Sequence, residues 1–212
     1  MDECCEAKAS ELEALRGRHA RVLVVVLVIN ATMFCIEFAA GLEARSTALL
    51  GDSLDMLGDS LVYAFTLYVL YLSRVWRARA ALLKGVLMLA FGIGVLVEAG
   101  LKLGHGVPPV AATMAGVGAL ALAANATCFA LLWRHRADDL NLRSTWLCSR
   151  NDLIANAAVL VAAVAVARLD SLWPDFVVGV GIALLFLRTA AIVLRESVAE
   201  LVDSREASAE SS

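Results

Sequence analysis

The sequence predicts an all-α membrane protein, a bundle of six transmembrane helices with both termini in the cytoplasm. Two observations predict this class. Of the 212 residues, 60% are hydrophobic and only 18% are charged, whereas a soluble domain is typically about 45–50% apolar and about a quarter charged. The apolar residues form stretches long enough to span a bilayer, which takes about 20 helical residues, and the chain has room for six of them.

Breaks in hydropathy place these spans in order along the chain. Gly41 and the charged segment 43–45 end the first span, and the Gly-His-Gly segment 104–106 ends the third. The predicted spans are Val22–Leu42, Ser46–Ser73, Ala80–Leu101, the segment from after Pro108-Pro109 to Trp133, Leu142–Ala167, and Phe176–Leu194 with a helical extension towards Asp203. We therefore expect a short cytoplasmic tail over residues 1–20, a six-helix transmembrane domain over 21–203 and a short polar cytoplasmic tail over 204–212, with no further domain.

The distribution of Lys and Arg predicts the orientation, because cytoplasmic loops carry an excess of these residues. Arginines cluster at residues 16–21, 74–79 and 134–143, whereas the opposite side offers only Arg45, Lys102 and Arg168. An even number of spans also places both termini on one side. The charged first 20 residues lack the apolar core and cleavage site of a signal peptide, so the first span itself is expected to direct insertion.

Two pairs of metal-binding residue types lie inside predicted spans. Asp55 and Asp59 are four residues apart in the second span, and Cys148 and Asp152 are four apart in the fifth. An ionised side chain at bilayer depth costs about 3 kcal/mol even on lenient scales, so such residues usually serve a function. Residues four apart share a helix face, and a rise of about 1.5 Å per residue puts both pairs roughly 20 Å from the outer side. Three carboxylates and a thiolate suit tetrahedral coordination of Zn²⁺ or a similar ion.

The segments that carry these pairs resemble the cation diffusion facilitator family. They read NATMFCIEFAAGLEARSTALLGDSLDMLGDSLVYAFTLYVLYL at residues 30–72 and WLCSRNDLIANAAVL at residues 146–160. The resemblance implies six spans, cytoplasmic termini and a transport site made from one His/Asp-xxx-Asp pair on the second helix and another on the fifth. By position it implies that Asp55, Asp59 and Asp152 are metal ligands.

The chain departs from the family pattern in two respects. Cys148 stands where the family has His or Asp, and there is no His-rich loop. We also expect this protein to be without the cytoplasmic metallochaperone-like domain that follows the sixth helix in many members. A homodimer is therefore expected to be held by the transmembrane helices. A thiolate favours Zn²⁺ and Cd²⁺ over Mn²⁺ or Mg²⁺. If Cys148 is instead an ordinary small buried residue, the site would consist of three carboxylates and water, and harder metals could also bind it.

Other polar residues in the spans extend the candidate pathway. Asp52, one turn outward of Asp55, is either an entry vestibule or supporting residue, or a solvated residue at the outer mouth. Asn156, one turn beyond Asp152, extends the polar face as a supporting residue. The remaining intramembrane polar residues are candidates for a proton relay or a cavity lining, with hydrogen bonding between helices an equal alternative for the two asparagines: Asn30, Glu37, Glu98 and Asn125.

These observations predict a secondary transporter rather than an enzyme. We expect it to export a divalent metal, Zn²⁺ first and Cd²⁺ also, in exchange for protons across a bacterial inner membrane, with no cofactor and no nucleic-acid partner. A passive metal channel or a metal sensor would need the same ligands. An intramembrane aspartyl protease is a further alternative, because two aspartates can share a proton. Its Gly-x-Gly-Asp signature is missing, the nearest match being Leu57-Gly58-Asp59.

Overall fold

The computed structural model confirms the predicted all-α fold. It describes the backbone of residues 2–68, 74–134 and 142–210; within these helices, side chains 2–20, 66, 74–75, 77, 105, 133–134, 142–151 and 203–210 are not described. In those ranges it contains six helices and no strand: α1 (Asp2–Ala44), α2 (Thr47–Tyr68), α3 (Arg74–His105), α4 (Ala111–Arg134), α5 (Leu142–Leu169) and α6 (Trp173–Glu210). Helices α1 and α6 run on into the segments predicted as tails.

Five of these helices are long and apolar enough to cross a membrane within the described residues, and the chain is an integral multi-pass membrane protein. Their candidate spans are Arg21–Ala44, Ala78–Gly104, Ala111–Leu132, Asp152–Leu169 and Trp173–Val202. Helix α2 is not among them. It carries three acids (Asp52, Asp55 and Asp59), and residues 47–54 at its N-terminal end are all buried. Burial against other helices is the usual solution for a polar helix at bilayer depth.

Helix α2 occupies the centre of the bundle. It packs against α1 and α4 through Leu23, Tyr63 and Cys128, and against α4 and α5 around Ala48 and Val159. A third cluster joins it to α3 and α6, with Leu54, Met88, Val95 and Phe186 at its core. The most extensive helix contacts are those of α1 with α2 and of α3 with α6. The bundle therefore consists of an α3–α6 pair beside a group formed by α1, α2, α4 and α5. Within that group, α2 also packs against the α3–α6 pair.

The outer end of α2 is anchored by a buried carboxylate from α6. Asp175 accepts hydrogen bonds from the Ser46 hydroxyl (2.5 Å) and from the backbone N–H groups of Thr47 (2.8 Å) and Ala48 (3.1 Å). It also pairs with the Lys102 ammonium of α3 at 2.5 Å. The first N–H groups of a helix have no partner within the helix and attract negative charge. Asp175 supplies both needs, so it fixes the depth at which the acids of α2 sit.

Two glycines allow α2 and α6 to approach backbone to backbone beside this anchor. A Cβ atom on Gly179 would collide with the backbone of Thr47 and Ala48, and one on Gly51 would lie 2.8 Å from the Gly179 carbonyl oxygen. In the glycine pairs 92/94, 116/118 and 179/181, one member faces a neighbouring helix and the other meets nothing within 4 Å. The facing member therefore serves close packing of helices.

Candidate metal-binding site

The three acids of α2 lie on the side of the helix that faces α1 and α5. Asp52 is fully buried, whereas Asp55 and Asp59 are half-buried. Their spacing of three and four residues places them on one helix face. This face leads from the N-terminal end of α2, held by Asp175, toward its C-terminal end. Asp52 is therefore an interior residue and not a solvated residue at the mouth.

A hydrogen bond between α2 and α5 sets the register of the two helices. The Asn156 side-chain amide donates to Asp52 Oδ1 at 2.9 Å. The two helices run antiparallel, because the start of α2 packs against the end of α5 around Ala48 and Val166. Each residue further along α2 after Asp52 is therefore level with one residue earlier along α5 before Asn156.

This register brings the two predicted ligand pairs to a common depth. Asp152 lies about 6 Å inward of Asn156, and Asp55 lies about 5 Å inward of Asp52. The carboxyl groups of Asp52 and Asp152 are close enough to repel each other electrostatically. By the same count, the backbone of Cys148 reaches the level of Asp59. The register thus supports the shared depth that helix spacing predicts.

The four-ligand set itself stays a prediction. The backbone of Cys148 belongs to α5, but its side chain lies outside those that the structure describes. Among the described side chains, no three His, Cys, Asp or Glu residues stand close enough together to hold a metal ion. By the register count Asp55 and Asp152 therefore share a depth, Asp59 lies one helical turn further inward, and the three form no closed coordination shell among the described side chains.

Tyr63 is a neighbour of the site that the sequence analysis missed. Its hydroxyl donates to Asp59 Oδ2 at 3.3 Å, and its ring is fully buried between α1, α2 and α4. The signal was present in the sequence, since Tyr63 follows Asp59 by one helical turn. Its fixed ring orients the Asp59 carboxyl group, as supporting residues commonly do for metal ligands.

The asparagines predicted to line the pathway lie in two separate parts of the bundle. The Asn125 amide donates to Asn156 Oδ1 at 3.4 Å, so a hydrogen-bond chain runs from α4 through α5 to Asp52. Asn30 lies elsewhere, donating to the Val26 carbonyl oxygen at 2.9 Å and to Cys128 Sγ at 3.5 Å. Asn30 therefore joins α1 to α4, which is the helix-to-helix alternative for this residue.

Glu37 approaches the acids of α2 from α1. Its side chain is fully buried, and its carboxyl group interacts electrostatically with Asp52 and Asp55. Glu37 lies about 11 Å from the outer end of α1, and Asp52 lies about 8 Å from the outer end of α2. The structure therefore brings together acids from three helices, namely Glu37, the acids of α2 and Asp152.

Comparison with known proteins gives one matching family. The model described as "Cation efflux transmembrane domain" matches residues 23–202. The chain is 25% identical over 200 residues to the metal cation efflux system protein CzcD of Cupriavidus metallidurans, with 88% of this chain and 63% of the relative covered. It is 24% identical to the cadmium, cobalt and zinc/H(+)-K(+) antiporter of Bacillus velezensis (88% and 64% covered), and 26% identical to the zinc transporter ZitB of Escherichia coli (87% and 63%). It thus spans less than two thirds of the length of each relative.

Proposed function

This chain belongs to the cation efflux family, and from that premise we propose that it exports divalent metal cations, Zn²⁺ foremost, from the cytoplasm in exchange for protons. The observation that carries the proposal is the Asn156–Asp52 hydrogen bond between α5 and α2. By that register Asp152 would lie level with Asp55, which supports a site in which acids from two helices meet around one ion. The relatives' names, which refer to cation efflux, to zinc and to an H(+)-K(+) antiporter, support the same cargo and direction.

The chemistry of the ligands supports coupling to protons. Carboxylates and a thiolate bind either a metal ion or protons, so metal binding releases protons from them. Because metal ions and protons compete for the same ligands, a single site can couple export of the metal to entry of protons. Rocking of one helix group against another around a midplane site provides alternating access in many secondary transporters.

The residue types also support a preference among metals. Asp55, Asp59 and Asp152 would bind many divalent ions, whereas the thiolate of Cys148 would favour Zn²⁺ and Cd²⁺. The protein would work as a homodimer joined by transmembrane helices in a bacterial inner membrane. No step of this transport makes or breaks a covalent bond in the cargo, so the protein would be a transporter and not an enzyme.

The proposal is tested by flux in proteoliposomes. We expect Zn²⁺ movement to saturate with concentration and to accelerate when a proton gradient opposes it, because protons displace the metal from its ligands on the far side. The measurement is the rate of Zn²⁺ movement with an imposed pH gradient and after its collapse with a protonophore. Flux that is unaffected by the collapse would contradict antiport, and flux that also fails to saturate would indicate a channel.

Replacing Cys148 with aspartate tests the metal preference. We expect the ratio of Cd²⁺ to Zn²⁺ flux to fall several-fold while Zn²⁺ flux persists, because a hard oxygen ligand replaces a soft sulfur ligand. The control is Cys35→Ser, which removes a thiol from an exposed position on α1. An unchanged flux ratio in Cys148→Asp would mean that Cys148 only packs within the bundle.

A further inference from the structure

Three buried carboxyl oxygens on α1 and α2 have no hydrogen-bond partner among the residues that the structure describes. They are Oε1 and Oε2 of Glu37 and Oδ2 of Asp52. Both side chains are fully buried, at 0% exposure. The other oxygen of Asp52 is held by the Asn156 amide at 2.9 Å. Buried polar atoms without partners are rare in folded proteins, and each such group calls for an explanation.

Negative charges surround these oxygens, and no described positive side chain is paired with them. The carboxyl group of Glu37 is repelled by those of Asp52 and Asp55. Lys102 is the one buried Lys or Arg among the residues that the structure describes, and it pairs with Asp175. An unpaired carboxylate away from water is strongly disfavoured. The Glu37–Asp52 pair therefore needs either protonation or a cation from outside the described residues.

The two carboxyl groups and their three unpartnered oxygens favour a divalent metal ion over a proton. None of the three oxygens has a hydrogen-bond partner among the residues that the structure describes. A single proton would neutralise only one of the two carboxyl groups. A divalent ion would balance both charges, and carboxylate oxygens are ligands that Zn²⁺ and other divalent ions accept.

We propose that Glu37 and Asp52 form a second, oxygen-only binding site for a divalent cation, about one helical turn outward of Asp55. Asn156 positions Asp52 by holding its Oδ1, and three free oxygens face the ion, with water completing the shell. Only the identity of the bound ion, which we take to be the exported metal, rests on the proposed function. It lies between Asp55 and the outer end of α2, where a metal ion leaving the cytoplasm passes before release.

Counting bound metal in the purified full chain tests this site. We expect Zn²⁺ titrated by calorimetry to bind in two classes, a tighter class that Asp152→Ala removes and a weaker class that Glu37→Gln removes. Gln has the size of Glu without its charge, so a residue that acts only in packing would tolerate the change. The matched control is Glu43→Gln, which makes the same change at an exposed position of α1.

Further outcomes separate the two sites. Asp52→Asn should remove the same weaker class from the other helix, and helical circular dichroism with gel filtration establishes that each variant folds. Two classes retained in both folded variants, or a single class in the unaltered protein, would overturn the second site. If Asp152→Ala keeps the tighter class while Glu37→Gln loses the weaker one, the proposed transport site fails and the second site stands.

Discussion

Replacing Asp152 with alanine should lower Zn²⁺ flux in proteoliposomes by more than about 100-fold. Residues that merely support a metal ligand change metal affinity by about 10–100-fold when they are removed, and loss of a ligand should exceed that range. Asp152 is the described acid of α5 that the Asn156–Asp52 register brings level with Asp55. The measurement is the initial rate of Zn²⁺ flux per mole of reconstituted protein.

The control for this variant is Glu43→Ala, which removes an exposed carboxylate from the end of α1. Its flux should match that of the unaltered protein. Transport by Asp152→Ala at near the original rate would exclude α5 as a ligand helix. The hydrogen bond between Asn156 and Asp52 would then serve only the packing of α2 against α5, and the proposed site would fail.

Replacing Asp175 with alanine should lower the free energy of unfolding by about 3–5 kcal/mol, which is the usual cost of breaking a buried ion pair by removing one partner. The change leaves the Lys102 ammonium buried without its counter-charge. It also leaves the Ser46 hydroxyl and the first two N–H groups of α2 without their acceptor. The measurement is denaturant-induced unfolding in detergent micelles, followed by helical circular dichroism.

A double variant separates the charge from the hydrogen bonds. In Lys102→Met with Asp175→Asn, both charges are gone, and the Asn oxygen can still accept from Thr47 or Ala48. We expect this double variant to recover part of the stability lost in Asp175→Ala, because no unpaired charge remains. A loss below about 1 kcal/mol in Asp175→Ala would place this contact in the range of exposed ion pairs and would contradict its role as an anchor.

The helices were predictable from local patterns. Five predicted spans agree with candidate spans of the structure to within a few residues at most ends, because apolar length and Gly or Pro breakers act locally. Hydropathy is weaker for α2, whose acids lower its apolar character. There the four-residue spacing of Asp55 and Asp59 was the better guide, since helix geometry alone puts both on one face.

Contacts between distant helices were not predictable in the same way. Lys102 and Asp175 read as ordinary residues near the ends of α3 and α6. They pair with each other across 73 residues of the chain, and Asp175 accepts from Thr47 of α2, 128 residues away. Asn156 was recognised as an extension of the polar face of α5. Its bond to Asp52 depends on the rotation and height of both helices, which no local pattern encodes.

The amino-acid sequence by itself determined the membrane class, the six helices and the acids placed at four-residue spacing, since these follow from hydropathy and helix geometry within single segments. Tertiary structure alone decided that α2 is central, that Asp175 anchors its outer end, that Asn156 holds Asp52 and that Glu37 faces Asp52 from α1. The physical reason is that each of these contacts depends on how the helices pack. Packing follows from the combined shapes of many side chains, including Gly51 and Gly179, and not from the pattern of any one helix.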